Sequence, residues 1–470
     1  MKSRTTKPLP SRERAELARQ GAKAAARGDP PAANPMRQPQ NATAATGEPL
    51  ENWQQRHDAW QEGHKLQFNA ADGLKGRGPS ARTTKARTQN NEQRAVPSLI
   101  VRTYRCACGK QVFFRNSQCL SCGAQLGYVP SRLMMYSLEP GAGPGKWRAS
   151  GDVGADRMYR RCANFTAAAA CNWLIEPEAE PRQQTLCRAC RLNRTIPDLS
   201  RSENRALWLR MERAKRRLVS QLIGLGLPVA SKVTEDKIHG LAYDFLRTSP
   251  GQPRVMTGHD RGIITINLEE ADDAVRERMR VEMGEPYRTL LGHFRHEVGH
   301  YYWDLLVRGT RWQDGSRELF GDERLDYGAA LKANYDHGPP SDWRRKFVSA
   351  YASMHPWEDW AESWAHYLHL RDTLDTATSF GIRADQVDIE AAPFLLSDLW
   401  DAQAPSVGAF LDMLHAWVRI TGVMNEMSSA MGQHEFYPFV LPRAAVAKLH
   451  FVHCVVSAVP KALPQGAAEA

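Results

Sequence analysis

The chain has 470 residues and a formal net charge of +10, and this length allows two or three domains. The positive charge lies in the N-terminal half: residues 1–98 carry +8, residues 99–200 carry +7 and residues 201–470 carry −5. The last segment is therefore not an obvious nucleic-acid binder. No apolar run approaches the roughly 20 residues that a membrane-spanning helix needs, so no contact with a membrane is expected.

The cellular location is suggested by the N-terminus and the cysteines. The first residues are basic, but the apolar stretch of a secretory signal does not follow them. Most of the nine cysteines occur in closely spaced couples, which favours metal binding over a disulfide framework. Both features predict a cytoplasmic protein.

Residues 1–98 are rich in Ala, Arg, Pro and Gln and poor in β-branched and aromatic residues. Such a segment cannot bury enough apolar surface to offset the entropy of ordering, so a disordered basic tail is predicted. Within it, a short helix is predicted over 51–68, where Trp53, Trp60 and Leu66 supply apolar side chains. The tail either contacts nucleic acid or an acidic partner, or only keeps the protein in solution.

Residues 99–198 hold eight cysteines in two sets of four, which predicts a zinc-ribbon region. The two couples of the first set are separated by ten residues, and Gly109 and Gly123 allow the tight turns around them. Thiolates at this spacing can close a tetrahedron around Zn²⁺. The first predicted structural zinc site consists of Cys106, Cys108, Cys119 and Cys122, and the second of Cys162, Cys171, Cys187 and Cys190. The remaining Cys454 is predicted to be a buried core thiol.

The same region offers a rival function, because zinc ribbons often bind nucleic acid and this one is basic. The charge would come from Arg102, Arg105, Lys110, Arg115, Arg157, Arg160, Arg161, Arg188, Arg191 and Arg194. Nucleic acid is therefore a candidate partner of the N-terminal half.

Residues 199–470 show the pattern of a mostly helical domain with a small sheet, and hence of an α+β fold. Helices are predicted over 203–225 and 271–282, and the apolar, β-branched stretch GIITINL predicts a strand over 262–268. Residues 375–460 are predicted to form a supporting helical bundle. His259, just before the strand, is predicted to have a structural role.

The sequence HEVGH at 296–300 is an HExxH motif. On a helix, residues four apart share a face, so His296 and His300 can bind one Zn²⁺ together. Glu297 then lies beside the metal and can take a proton from a water bound there. The helix is predicted to begin near Pro286 and to end at Gly309. The alternative is an ordinary helix that carries two histidines without a metal.

A third ligand is predicted in the segment PWEDWAESWAHYLHL at 356–370. Glu358 and Glu362 share a helical face among tryptophans, and buried acids usually have a cation to bind. We assign Glu358 as the third ligand and Glu362 as the partner that orients a zinc-binding histidine. The reverse assignment stays open, and Asp359 and His366 are weaker candidates.

Two tyrosines between these helices are candidate catalytic residues. Tyr327 and Tyr335 could each donate a hydrogen bond to the oxyanion of a tetrahedral intermediate, although tyrosines more often serve packing.

Four segments occur in this order: RCACGKQVFFRNSQCLSCGAQLGY, GIITINLEEADD, HFRHEVGHYYWDLLV and HPWEDWAESWAHYLH. Over about 99–450, the chain resembles a bacterial family of zinc-binding metallopeptidases that carry an N-terminal zinc ribbon. More broadly, the HExxH helix followed by a glutamate-bearing helix resembles the gluzincins. That resemblance implies a zincin-like fold, zinc ligation by Glu358, and a sheet edge that pairs with substrate. The 262–268 strand is a candidate for that edge, and the alternative is a plain core strand. The interval from His300 to Glu358 is longer than in thermolysin-like enzymes.

The expected function is that of a zinc metallopeptidase with one catalytic and two structural zinc ions, acting on a peptide or protein. Two alternatives are open. One is a nucleic-acid-binding or regulatory zinc-ribbon protein with an inactive zincin domain. The other is a zinc amidohydrolase that cleaves a non-peptide amide by the same metal chemistry.

Overall fold

The computed structural model describes most of the chain. The described residues are 11–26, 30–38, 41, 43, 50–72, 99–152, 157–177, 184–249, 251–389 and 394–460. Among them, no helix is both long and apolar enough to cross a membrane.

Residues 1–92 form a compact unit of their own. It contains helices α1 (Ser11–Ala26) and α2 (Leu50–Asp72), which pack together and bury Ala24 and Trp60. Gly21 permits this contact, since a β-carbon there would lie 1.9 Å from the Trp60 carbonyl oxygen. Helix α2 contains the helix predicted over 51–68, whereas α1 was not predicted. The extent of disorder in the tail stays a prediction, because 73–98 lie outside the described residues.

The Cys-rich region is built from short antiparallel strands. A hairpin pairs β1 (Tyr104–Arg105) with β2 (Gln111–Val112). A five-stranded sheet follows in chain order: β3 (Gln125–Val129), β4 (Met134–Pro140), β5 (Lys146–Ala149), β6 (Tyr159–Arg161) and β7 (Leu174–Ile175). Tyr128 and Trp173 are fully buried on this sheet.

A second sheet combines the end of the Cys-rich region with the segment that follows. It has four strands in the order β10–β11–β9–β8, where β8 is Asn193–Thr195, β9 Ala242–Leu246, β10 Gly258–Asp260 and β11 Ile263–Asn267. Strand β8 pairs in parallel with β9. One apolar core runs through both parts and includes Tyr128, Trp173, Trp208 and Phe294. The predicted boundary at 198 therefore divides the sequence but not the core.

The rest of this part is helical, as the predicted α+β class requires. The helices are α3 (Ser202–Gly224), α4 (Asp273–Glu282), α5 (Leu290–Leu306), α6 (Gln313–Phe320), α7 (Tyr327–His337), α8 (Trp343–Lys346), α9 (Pro356–Ser379), α10 (Val407–Ala430) and α11 (Arg443–Ser457). Helix α9 packs against α5 on one side and against α10 and α11 on another. Cys454 in α11 is buried, as predicted.

The strand predicted over 262–268 is an internal strand, β11, which is paired on both sides by β10 and β9. It cannot accept an added strand, because its backbone hydrogen bonds are already used. The free edge on this side of the sheet is β10. The spacing of apolar residues indicates a strand but does not reveal which neighbours it acquires.

Candidate metal centre

Helix α5 carries the HExxH motif and begins at Leu290, four residues later than predicted. Its start is set by Thr289, whose hydroxyl oxygen accepts a hydrogen bond from the Gly292 amide at 3.0 Å. His300 and Glu297 are buried, while His296 is partly exposed. The motif therefore lies on a face that is covered by other elements, and one side chain reaches the surface.

Helix α9 supplies the carboxylates and starts at Pro356, as predicted. The His355 Nδ1 atom accepts a hydrogen bond from the Trp357 amide at 3.0 Å and caps this end. The helix crosses α5 closely at Gly299, where a β-carbon would lie 3.1 Å from the Ala361 Cα. At the crossing, Trp360 donates its indole hydrogen to the Gly299 carbonyl at 2.8 Å. Glycine inside the HExxH motif thus lets the two helices approach.

This crossing brings His296, His300 and Glu358 together, with one donor atom of each within 4.8 Å of the others. The Glu358 Oε2 atom lies 2.9 Å from His296 Nε2 and 3.6 Å from His300 Nε2. The same oxygen is buried and makes no hydrogen bond. Two imidazoles and one carboxylate that face a common point form a donor set suited to zinc, so these residues fit the metal.

Glu362 lies behind His296 and outside the donor set. Its Oε1 atom is 2.8 Å from His296 Nδ1, and its Oε2 atom accepts a hydrogen bond from the Ser349 hydroxyl at 2.6 Å. A carboxylate on the far nitrogen of a metal-binding histidine fixes the tautomer and the ring orientation. This arrangement is the one expected from the assignment of Glu358 as ligand and Glu362 as orienting residue.

The two weaker candidates lie elsewhere. Asp359 forms a buried ion pair with Lys448 at 2.5 Å. His366 bonds through Nδ1 to the Tyr437 hydroxyl at 2.5 Å. Neither belongs to the donor set, although both share the helix with Glu358.

The ionisable groups of the site are shifted by burial and by one another. Burial raises the pKa of Glu297 to about 7, against the opposing effect of His296. A carboxylate with a pKa near neutrality can both accept and release a proton. Burial also lowers the pKa of His300, which favours the neutral imidazole that binds metals.

One predicted tyrosine lies at the site and the other does not. Burial and the nearby charge of Glu358 raise the pKa of the Tyr327 hydroxyl, which places it beside the donor set. Tyr335 is 69% exposed, and no hydrogen bond or ring contact joins it to the site in the described part of the chain. Tyr351, which was not predicted, lies with its ring 5.8 Å from that of His296. Burial raises the pKa of Tyr327 and of Tyr351, so both hydroxyls stay protonated. Sequence offers no signal for Tyr351, because it lies in a short 3-10 helix, Tyr351–Ser353, outside both ligand-bearing helices.

Strand β10 runs beside the HExxH helix. Its His259 ring stacks on that of His300 with the centroids 6.2 Å apart, and the Trp357 ring stacks on His300 at 5.3 Å. The Gly262 amide donates to His259 Nε2 at 2.9 Å, so this histidine also holds the turn between β10 and β11. The free sheet edge therefore lies next to a zinc-binding candidate.

Each set of four cysteines has the geometry of a tetrahedral site. A Zn–S distance of about 2.3 Å places neighbouring sulfurs about 3.8 Å apart. The Cys106–Cys122, Cys108–Cys119 and Cys171–Cys187 sulfur pairs are 3.5, 3.9 and 3.6 Å apart. All nine cysteines are free thiols, and in each set the four sulfurs lie within 4.8 Å of one another. Both sets thus fit a structural zinc ion.

Buried cations lie beside the second cysteine set. Arg216 and Lys215 in α3 are 4% and 0% exposed, and both pair with Glu212. The thiols of the set raise the pKa of Arg216, against the effect of burial. Four thiolates around Zn²⁺ carry a net charge of −2, and buried charge requires compensation nearby. Because Glu212 cancels one of the two positive charges, the three side chains together offset only part of the charge of a zinc–thiolate centre.

Several basic residues considered for nucleic-acid binding are used inside the fold. The side chains that are ion-paired or stacked on an aromatic ring are Arg102, Arg161, Arg191 and Arg194. The exposed ones include Arg105, Lys110 and Arg115. Nucleic-acid binding stays a prediction, and fewer basic side chains are exposed for it than the sequence suggested.

Known proteins share both parts of this chain. A family described as "Putative zinc-binding metallo-peptidase" matches residues 204–455, and a zinc-ribbon domain matches residues 103–201. Uncharacterized proteins of Mycobacterium bovis and of two Mycobacterium tuberculosis strains are each 41% identical over 363 residues. The alignment covers 76% of this chain and 96% of each relative. No solved structure matches.

The first match spans more than half of the chain and includes both helices that form the donor set. The second includes all eight cysteines of the two sets. The chain therefore belongs to the zinc-binding metallopeptidase family, and a zinc-ribbon domain precedes its peptidase part.

Proposed function

We propose that the protein is a zinc-dependent peptidase of the gluzincin type, acting on peptide or protein substrates. The observation that carries this proposal is the buried convergence of His296, His300 and Glu358 on one point. Glu297 adjoins this point with a pKa raised by burial to about 7. A bound zinc ion would polarise the scissile carbonyl and make a water acidic enough to give up a proton near neutral pH.

The residues of the chain perform the remaining steps. Glu297 accepts the proton of the attacking water as the new carbon–oxygen bond forms. It then passes that proton to the nitrogen of the leaving amine as the carbon–nitrogen bond breaks. Burial and the nearby charge of Glu358 keep the Tyr327 and Tyr351 hydroxyls protonated, so they can donate to the oxyanion. Glu362 keeps the His296 ring in orientation.

Strand β10 is the proposed binding edge for the substrate backbone. Main-chain hydrogen bonds to a free strand edge hold an extended peptide irrespective of most of its side chains. The stacking of His259 on His300 places this edge beside the donor set. This geometry favours a peptide over a small non-peptide amide, which would have no use for a strand edge.

The test of the proposal is the exchange Glu297→Gln. The variant is expected to lose peptide hydrolysis by about 10²–10⁴-fold and to keep its zinc, because the donor atoms are unchanged. Hydrolysis is followed by mass spectrometry of unstructured peptides after incubation, and zinc by atomic emission. Undiminished hydrolysis by this variant would refute the mechanism.

The same zinc analysis tests the proposed stoichiometry. The wild type should hold about three zinc ions per chain, one at the donor set and one at each cysteine set. The control His296→Ala should lower the content by about one ion, because it removes a ligand only from the donor set. An unchanged content in His296→Ala would contradict a catalytic zinc there.

A further inference from the structure

A buried ionic cluster joins the start of the Cys-rich region to both helices of the metal centre. Its centre is the carboxylate of Asp372 in α9, which is 4% exposed. Three arginines from three other segments form ion pairs with it. Arg102 lies 2.8 Å away, Arg217 2.7 Å and Arg295 2.8 Å.

The cluster holds the two ligand-bearing helices together. Arg295 directly precedes His296 in α5, and Asp372 lies in the helix that carries Glu358. Arg295 is 3% exposed and also bonds to Gln221 at 2.9 Å and to His369 at 2.6 Å. A guanidinium held on several sides has little freedom to rotate, so it fixes α5 against α9 one residue away from a metal ligand.

Arg102 brings the Cys-rich region into this arrangement. Its backbone amide donates to the Ser379 hydroxyl and its guanidinium to the Ser220 hydroxyl, both at 2.9 Å. Tyr128 of the five-stranded sheet bonds to the same Ser220 hydroxyl at 2.8 Å. Cys106, the first cysteine of the first set, follows four residues later. The cluster therefore receives one of its three cations from the region that binds structural zinc.

The cluster sets one carboxylate against three guanidiniums, so its members do not contribute equally. A buried charge that loses a partner is left uncompensated, which is costly in a medium of low polarity. Loss of Asp372 would leave three arginines facing one another. Loss of Arg102 alone leaves Asp372 with Arg217 and Arg295, so it is the mildest change that releases the Cys-rich region from the cluster.

We propose that Arg102 is a positioning residue for the metal centre. Through Asp372 and Arg295 it fixes α5 relative to α9, and so the separation of the two histidines from Glu358. The zinc-ribbon region thus sets the geometry of the catalytic site and is not a separate binding module. This inference rests on the proposed zinc-peptidase function.

The test uses the full chain with the exchange Arg102→Gln. Metal is removed with a chelator under conditions in which the zinc content falls by one ion per chain in the wild type and does not fall in His296→Ala, and Co²⁺ is then titrated. The visible bands of Co²⁺ report the geometry of its ligands. We expect about 10-fold weaker Co²⁺ binding and altered bands in the variant. This loss is at the lower end of the range for a partner that bonds to a ligand directly, because Arg102 acts only through Asp372 and Arg295. The matched control is Arg105→Gln, an exposed arginine whose guanidinium bonds to the Gly109 carbonyl at 3.1 Å, which should match the wild type.

Each outcome decides the inference. Wild-type affinity and bands in Arg102→Gln overturn it, even if the variant melts at a lower temperature, because the role is then only structural. If that variant does not fold, Arg102→Lys replaces it. Lysine keeps the positive charge but not the planar set of N–H donors of a guanidinium. Weaker Co²⁺ binding than in the wild type therefore supports the inference, and unchanged Co²⁺ bands refute it. In the wild type, one bound Co²⁺ should disappear on exchange of His296→Ala. If His296→Ala binds as much Co²⁺ as the wild type, the proposed function fails, and the inference fails with it.

Discussion

The exchange Glu362→Gln separates the two roles that the carboxylates of α9 can take. Glu362 bonds to His296 Nδ1 at 2.8 Å and to the Ser349 hydroxyl at 2.6 Å. Glutamine keeps the length of the side chain and can still accept from the histidine, but it has no charge. Loss of such an orienting partner lowers metal affinity by about 10–100-fold, or about 1.4–2.7 kcal/mol. We expect Glu362→Gln to lower the zinc affinity by about 10-fold and Glu362→Ala by about 100-fold.

The matched variant is Glu358→Gln, one turn earlier on the same face. It replaces the carboxylate of the donor set by an amide, so its loss of affinity should exceed about 100-fold, beyond the range of an orienting partner. Affinity is measured by competition with a fluorescent zinc indicator after selective removal of metal from the donor set. A ranking in which Glu362→Gln loses zinc completely and Glu358→Gln retains it would refute the assignment and reverse the two roles.

Two further predictions concern acid stability and the oxyanion. Burial raises the pKa of Glu270, but its pairing with His293 outweighs this and lowers the pKa to about 2. The contribution of this pair to the free energy of unfolding is complete above pH 4.5, the usual pKa of a glutamate, and is lost as the pH falls toward 2. In urea unfolding between these pH values, the wild type should therefore lose up to about 3 kcal/mol that Glu270→Gln does not lose, and parallel curves would contradict this. Tyr351→Phe should lower kcat by about 10²–10³-fold and leave zinc content unchanged, whereas Tyr335→Phe should have no effect. Equal rates in the two tyrosine variants would show that Tyr351 is not an oxyanion donor.

The parts of the site that the sequence predicts are those encoded over short distances. Two histidines four apart and two glutamates four apart define the faces of α5 and α9 through helix periodicity alone. The cysteine couples define their sites in the same way, since each knuckle needs only a few residues. The cap at Thr289 was missed because Pro286 offered an equally plausible start a few residues earlier.

The parts that could not be predicted depend on contacts between distant segments. Tyr351 reaches the site only because α9 folds back onto α5. Arg102 was considered for nucleic-acid binding, yet its partner Asp372 lies 270 residues away in the sequence. The internal position of β11 depends on its parallel pairing with β9, where Ile263 lies beside Ala242, 21 residues earlier in the chain. Hydrophobic patterns predict burial, but they do not identify the partner.

The order in which the chain is synthesised has a consequence for strand β8. Asn193 of β8 pairs with Tyr243 of β9, which leaves the ribosome 50 residues later. During synthesis β8 is therefore an unpaired strand edge, the kind of surface through which chains aggregate. The cysteine set that ends at Cys190 is complete before β9 exists, so zinc taken up there can hold this edge in place. Zinc supply during synthesis thus bears on the yield of folded protein.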